Sequence, residues 1–122
     1  MAGLECVEHL VTPDYPMPAL QQHVDGSVWF QAHLTPQASI DKLDHEVVSA
    51  WGAGPNLLMP PAEQAIRATK FKSDCGGKTV EVVYRFELHG QPTPNPKVTS
   101  RTEAPDVMYI ESEPEGTITA KK

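Results

Sequence analysis

The stretch Thr79–Leu88, read with the run just before it, limits the fold of this chain more than any other feature. Val80, Val82, Tyr84, Phe86 and Leu88 share one face, and Glu81, Arg85 and Glu87 share the other. Val83 is the single apolar exception on the polar face. A period of two with one apolar side is the pattern of a strand with one buried face. Upstream, Pro60–Phe71 reads as a helix, with Pro60 and Pro61 in its first turn, where a missing N–H costs nothing. Leu58, Ala62, Ala65, Ile66 and Phe71 make its apolar stripe. A helix followed by an amphipathic strand builds one shared core, and the rest of the chain must complete it.

The earlier elements fit that demand. Residues 1–12 are weakly patterned and read as a short extended segment. Thr12-Pro13-Asp14-Tyr15-Pro16 is stiff, because each proline biases its predecessor toward extended backbone. Pro18–Val24 reads as a short helix ended by Asp25-Gly26. Ser27–Thr35 alternates, with Val28, Phe30, Ala32 and Leu34 facing inward and Trp29, Gln31, His33 and Thr35 outward. Pro36–Ser39 is a hairpin connection without the Gly or Asn that the tightest turns demand. Ile40–Ala50 resumes as a strand with Leu43, His45, Val47 and Ser49 on one face. Trp51–Asn56 is a loop.

After Gly90 the composition changes. Gln91–Pro96 is too rich in proline for a helix or a central strand. Val107–Ile110 is a short β-prone island, and residues 111–122 read as a frayed end. The expected fold is α+β: a small antiparallel sheet of three to four strands with two short helices on one face. Its order is α-β-β-α-β, with a late edge strand at 107–110. Residues 1–90 form the folded unit in this reading, and 91–122 a Pro-rich linker and tail.

The 122 residues are one domain's worth, with net charge −6. That charge argues against nucleic acid and against anionic membrane as partners. No apolar run reaches the roughly 20 residues of a membrane span. The start of the chain lacks the basic segment and apolar core of a signal peptide.

The residues give little sign of catalysis. The histidines His9, His23, His33, His45 and His89 show no ligand spacing, although His33 and His45 meet across the hairpin in some registers. His45 is odd in falling on an apolar face. Cys6 and Cys75 are one disulfide or two thiols, and Asp74 beside Cys75 disfavours a reactive thiolate. Asp41, Asp44 and Glu46 read as a solvated strand face. Glu103, Asp106, Glu111, Glu113 and Glu115 read as a solubilising tail. The expectation is therefore no catalytic residues, no cofactor and no metal. Trp29 and Trp51 are candidate contact residues.

One ordered set of pieces resembles the C-terminal domain of TonB, the energy transducer of Gram-negative envelopes. The pieces are Tyr15-Pro16 with Ala19; Val24-Asp25-Gly26-Ser27-Val28; Leu34-Thr35-Pro36; Val47-Val48-Ser49-Ala50; and Ala62, Ala65-Ile66 and Phe71-Lys72 before the alternating strand. The resemblance covers residues 12–90. It departs where Gln37-Ala38-Ser39 replaces an Asp-Gly turn, where Thr69 stands for a Trp and where Ser73 stands for a Pro. The family's membrane anchor and Pro-rich spacer have no counterpart here, which weakens a transducing role.

The resemblance implies a non-enzymatic, periplasmic interaction module that takes up an extended peptide of an outer-membrane receptor or other envelope protein by strand addition. Carried over by position, the docking strand is Val80, Glu81, Val82, Val83, Tyr84, Arg85 and Phe86, with Tyr15 and Pro16 beside it. The resemblance also allows Cys6 and Cys75 to lie close enough for a disulfide, worth about 3–4 kcal/mol. Three alternatives stay open. Residues 107–110 reach back across a linker of about 16 residues and fill that edge, leaving a solitary accessory domain. A small enzyme uses a pocket around His45 or Cys75. A homodimer forms through edge strands.

Overall fold

The computed structural model describes residues 1–48 and 54–116. The expected Ser49–Ala50 strand end, the Trp51 contact and the tail beyond residue 116 lie outside the described residues. The elements are β1 (Val7–His9), α1 (Met17–Gln21), β2 (Gly26–Leu34), β3 (Ile40–Val48), α2 (Gly54–Ala68), β4 (Lys70–Phe71), β5 (Thr79–Leu88), β6 (Thr99–Glu103) and β7 (Val107–Ser112). Single 3-10 turns at Leu4–Cys6 and Ser73–Cys75 precede β1 and β5. The α+β class is as expected, and no described helix is long and apolar enough to cross a membrane.

The main sheet has five strands in the order β3-β2-β5-β7-β6. Its β2–β3, β2–β5 and β6–β7 pairs are antiparallel, while β5 and β7 are parallel. A separate two-stranded ladder joins β1 to β4. The inward faces follow the alternation in the sequence. Val28, Phe30 and Ala32 of β2 and Val80, Val82, Tyr84 and Phe86 of β5 are all buried. Each large side chain among them contributes about 1.5–3 kcal/mol by leaving water. Leu20 of α1 and Leu58, Ala62, Ala65 and Ile66 of α2 join the same core.

Helix α2 departs from expectation at both ends. It starts at Gly54, so Pro60 and Pro61 lie inside it rather than in its first turn. Proline has no N–H, so the carbonyls of Asn56 and Leu57 lose their helical donors. Full burial of Leu58 and Ala62, which flank the proline pair, offsets that loss. The helix stops at Ala68, short of Phe71. The Thr69 hydroxyl donates to the Ala65 carbonyl at 2.9 Å and accepts the Val11 N–H at 3.1 Å. Lys70 and Phe71 then pair with β1.

The β2–β3 connection closes with the Thr35 N–H donating to the Ser39 carbonyl, and Ala38 takes φ of +63°. This loop packs on the turn before β5, where the Gly77 N–H donates to Thr35 O at 2.9 Å. A side chain at Gly76 would run into the Pro36 carbonyl.

The larger correction concerns the C-terminal quarter. The expected edge strand at 107–110 extends over Val107–Ser112 and is an interior strand, because β6 pairs on its far side. Thr99–Glu103 and Val107–Ser112 are therefore strands of the sheet rather than linker and tail. Glu103 and Glu111 lie in strands. Further on, the Glu115 N–H donates to Leu20 O, and Thr93 exchanges hydrogen bonds with Pro114 and Gly116.

Candidate functional site

The expected docking strand is β5, so the decisive geometry is what lies along its outer edge. The N–H and C=O groups of Val80, Val82, Tyr84 and Phe86 turn toward β2. Those of Thr79, Glu81, Val83 and Arg85 turn the other way, as strand alternation requires. Ala2 meets the first of them: its N–H donates to Thr79 O at 3.2 Å, and its carbonyl accepts the Glu81 N–H at 2.7 Å. The Val83 N–H donates to Asp106 O at 2.8 Å, and β7 runs beside β5 from Val83 to Leu88. The His89 N–H finishes the ladder on Ser112 O. Ala2 and the segment Asp106–Ser112 thus fill the edge from Thr79 to His89, and the expectation of an open edge at Val80–Phe86 is overturned.

The two segments also hold each other. The Leu4 N–H donates to Pro105 O at 2.8 Å, and Gly3 lies so close that a side chain there would meet the same carbonyl. The Cys6–Cys75 disulfide, with Cα atoms 5.8 Å apart, fastens this N-terminal segment beside the start of β5. Asp106 and Glu81 share a side-chain hydrogen bond there, which pushes the Asp106 carboxyl up to about 6, with partial burial adding to the shift.

Tyr15 and Pro16 do not form a surface beside β5. Tyr15 is a core residue, packed edge-on against Phe86 with ring centres 5.2 Å apart. Its hydroxyl donates to the Val24 carbonyl at 2.7 Å, and burial, with Asp25 and Glu87 nearby, holds its proton well above the usual tyrosine range. Pro16 caps α1, its carbonyl accepting the N–H groups of Ala19 and Leu20. Tyr84 is likewise internal: its hydroxyl donates to Val11 O at 3.2 Å, and burial pushes it up to about 12. Of the expected partner-binding residues, Arg85 alone is exposed, with Glu81 and Val83 half-buried on the outer face.

That outer face holds two polar clusters that sequence reasoning missed. In one, His33 of β2 lies 3.0 Å from the Thr79 hydroxyl and 2.9 Å from an Asp44 oxygen, spanning β5, β2 and β3. The imidazole hydrogen bond holds the Asp44 carboxyl below the usual range. A hydroxyl, an imidazole and a carboxylate in line are the parts of a proton relay; here they strap three strands together on the solvent side. The register sets His33 against Lys42 and His45 against Phe30, so His33 and His45 fall on opposite faces and do not meet. His45 is exposed on the edge strand and Cys75 is spent in the disulfide, so neither heads a catalytic pocket.

In the second cluster, ligand atoms of Glu87, His89 and Glu111 lie within 4.8 Å of one another. Glu87 and Glu111 are direct neighbours across the β5–β7 pair, where like charges repel. Arg85, 3.2 Å from Glu87, and Arg101, 3.5 Å from Glu111, relieve that repulsion. Among the described residues these three ligand atoms lie close enough to hold a divalent cation, with both guanidiniums competing for the same carboxylates. No hint of either cluster was readable before the register was known. No family model, curated protein or solved structure matches the chain.

Proposed function

We propose that this chain is a non-enzymatic accessory domain of the bacterial cell envelope, similar to the TonB C-terminal domain, whose own β6 and β7 complete its sheet. One observation carries the reading: six consecutive residues of β5 are paired with β7, on the edge where strand addition was expected. The order α1, β2, β3, α2, β5 supports the likeness, being the order the resemblance implies. The disulfide supports an oxidising compartment such as the periplasm. In this reading the domain transmits no force, needs no cofactor and binds no nucleic acid, in keeping with its net charge of −6.

The test is an amide-resolved NMR titration of the oxidised full chain with extended peptides from outer-membrane receptor N-termini. The expected result is no shift at Val83–Leu88 and slow exchange of those amides together with those of β7. Saturable shifts concentrated at Val83–Leu88 would mean that β7 yields to a peptide, and the receptor-docking reading would replace this one.

A further inference from the structure

With β5 closed, β3 is one of the two outer strands of the main sheet. Its hydrogen-bonding direction follows from the ladder. The Leu34 N–H points to Lys78 O, on the β5 side. Alternation then turns Ser27, Trp29, Gln31 and His33 toward β3, where they meet Val48, Glu46, Asp44 and Lys42. The backbone groups of Leu43, His45 and Val47 therefore face away from the sheet, and among the described residues no strand pairs with them; at Asp41 the register shifts by one residue.

We propose that this edge pairs with the same edge of a second copy, antiparallel, about a twofold axis through Leu43. The charge pattern selects that register. With the axis at Leu43, Lys42 faces Asp44 of the partner subunit, Asp41 faces His45 of the partner subunit, and the two Leu43 side chains meet. Symmetry makes each pair twice. The register also sets the outward-facing Leu43 opposite its own copy, so the two Leu43 residues exchange main-chain hydrogen bonds. An axis at Lys42 or Asp44 sets like charges face to face, and one at His45 opposes Asp44 to Glu46.

Charges on an edge strand discourage indiscriminate pairing. Charges of both signs at this spacing discourage the registers centred on Lys42, Asp44 and His45. Lys42 is largely exposed, and the Asp44 oxygen that His33 does not use faces it from 3.9 Å, a loose contact that a partner lysine can share. The opposite edge is less suited. β6 has only five residues, and Arg101 and Glu103 are engaged with Glu111 and Tyr109. The β3 pairing makes one continuous sheet of two five-stranded halves and does not depend on the envelope reading above.

Sedimentation equilibrium of the oxidised full chain tests it. The expected result is a concentration-dependent dimer. Lys42→Glu, at an exposed site, creates two like-charge pairs and should weaken the dimer roughly tenfold. Lys42→Glu with Asp44→Lys should restore it, although the His33 contact is lost. Leu43→Cys should cross-link the dimer on oxidation, because Cα atoms of a hydrogen-bonded antiparallel pair sit about 5.5 Å apart, within disulfide reach; Val47→Cys should not. A wild-type chain that stays monomeric at the highest soluble concentration overturns the proposal. So does a dimer that Lys42→Glu leaves unchanged, or one that Val47→Cys cross-links as readily as Leu43→Cys.

Discussion

Cys6 is bridged to Cys75 across a sequence separation of 69 residues. The bridge joins the N-terminal segment, which caps β5 through Ala2, to the turn that launches β5. Opening it frees a long loop in the unfolded chain, a loss of about 4 kcal/mol in the chain-entropy model. Calorimetry with and without reductant should show the melting temperature fall by roughly 10 °C or more. Cys6→Ala, Cys75→Ala and the double variant should all fall by similar amounts, because each opens the same loop. A drop under about 2 °C on reduction would mean that the bridge constrains little.

Tyr15 separates a docking role from a core role. Tyr15→Phe keeps the ring against Phe86 but leaves the Val24 carbonyl without its 2.7 Å donor. The expected cost is about 1–2 kcal/mol of stability, read by urea denaturation as a lower midpoint at unchanged slope. An unchanged midpoint would return Tyr15 to the list of residues kept for binding.

The local half of this fold was legible because it rests on period. The inward residues of β2 and β5 were named in the right alternation, since a buried face repeats every second residue whatever the strand pairs with. Even the exception at Val83 was visible, but not its reason. Val83 lies directly between Trp29 and Val107, so three half-buried side chains make an apolar row across the outer face. That reason depends on β7, and a parallel neighbour arriving from beyond a Pro-rich connection leaves no mark within β5 itself. The same gap hid Glu87 beside Glu111 and left the edge with two readings, a docking site or cover by residues 107–110. The start of α2 was missed on other grounds: Pro60-Pro61 is a strong helix-start signal, and burial of Leu58 overrode it.

Ala38 sits in left-handed backbone, φ +63°, where the Gly or Asn of a tight hairpin is missing. An L side chain there costs about 1 kcal/mol. Ala38→Gly relieves that strain while giving back part of the gain in unfolded-state entropy. The net expectation is a stabilisation of about 0.5 kcal/mol and a melting temperature higher by a few degrees. Ala38→Val, β-branched and more strained in this region, should be destabilised instead. If the glycine variant melts lower than the wild type, the packing that Ala38 makes on the core outweighs its backbone strain.

Asp106 gives the fold a pH dependence of definite sign. Its carboxyl titrates near 6 in the folded chain, against 3.8 as the ordinary value, because it shares a hydrogen bond with Glu81. Between those values the folded state holds more protons than the unfolded state, so stability falls as pH rises from about 4 to about 6. The contribution is fully present below the unfolded value and lost above the folded one. Asp106 is partly solvated, so screening limits the effect to the order of 1 kcal/mol. Asp106→Asn puts a permanent donor against Glu81 and removes the second charge. It should flatten this segment of the stability profile and raise the melting temperature at pH 7 by a few degrees. Thermal melts of both proteins from pH 4 to pH 8 decide it. Parallel profiles for wild type and variant would show that the pair titrates independently of folding.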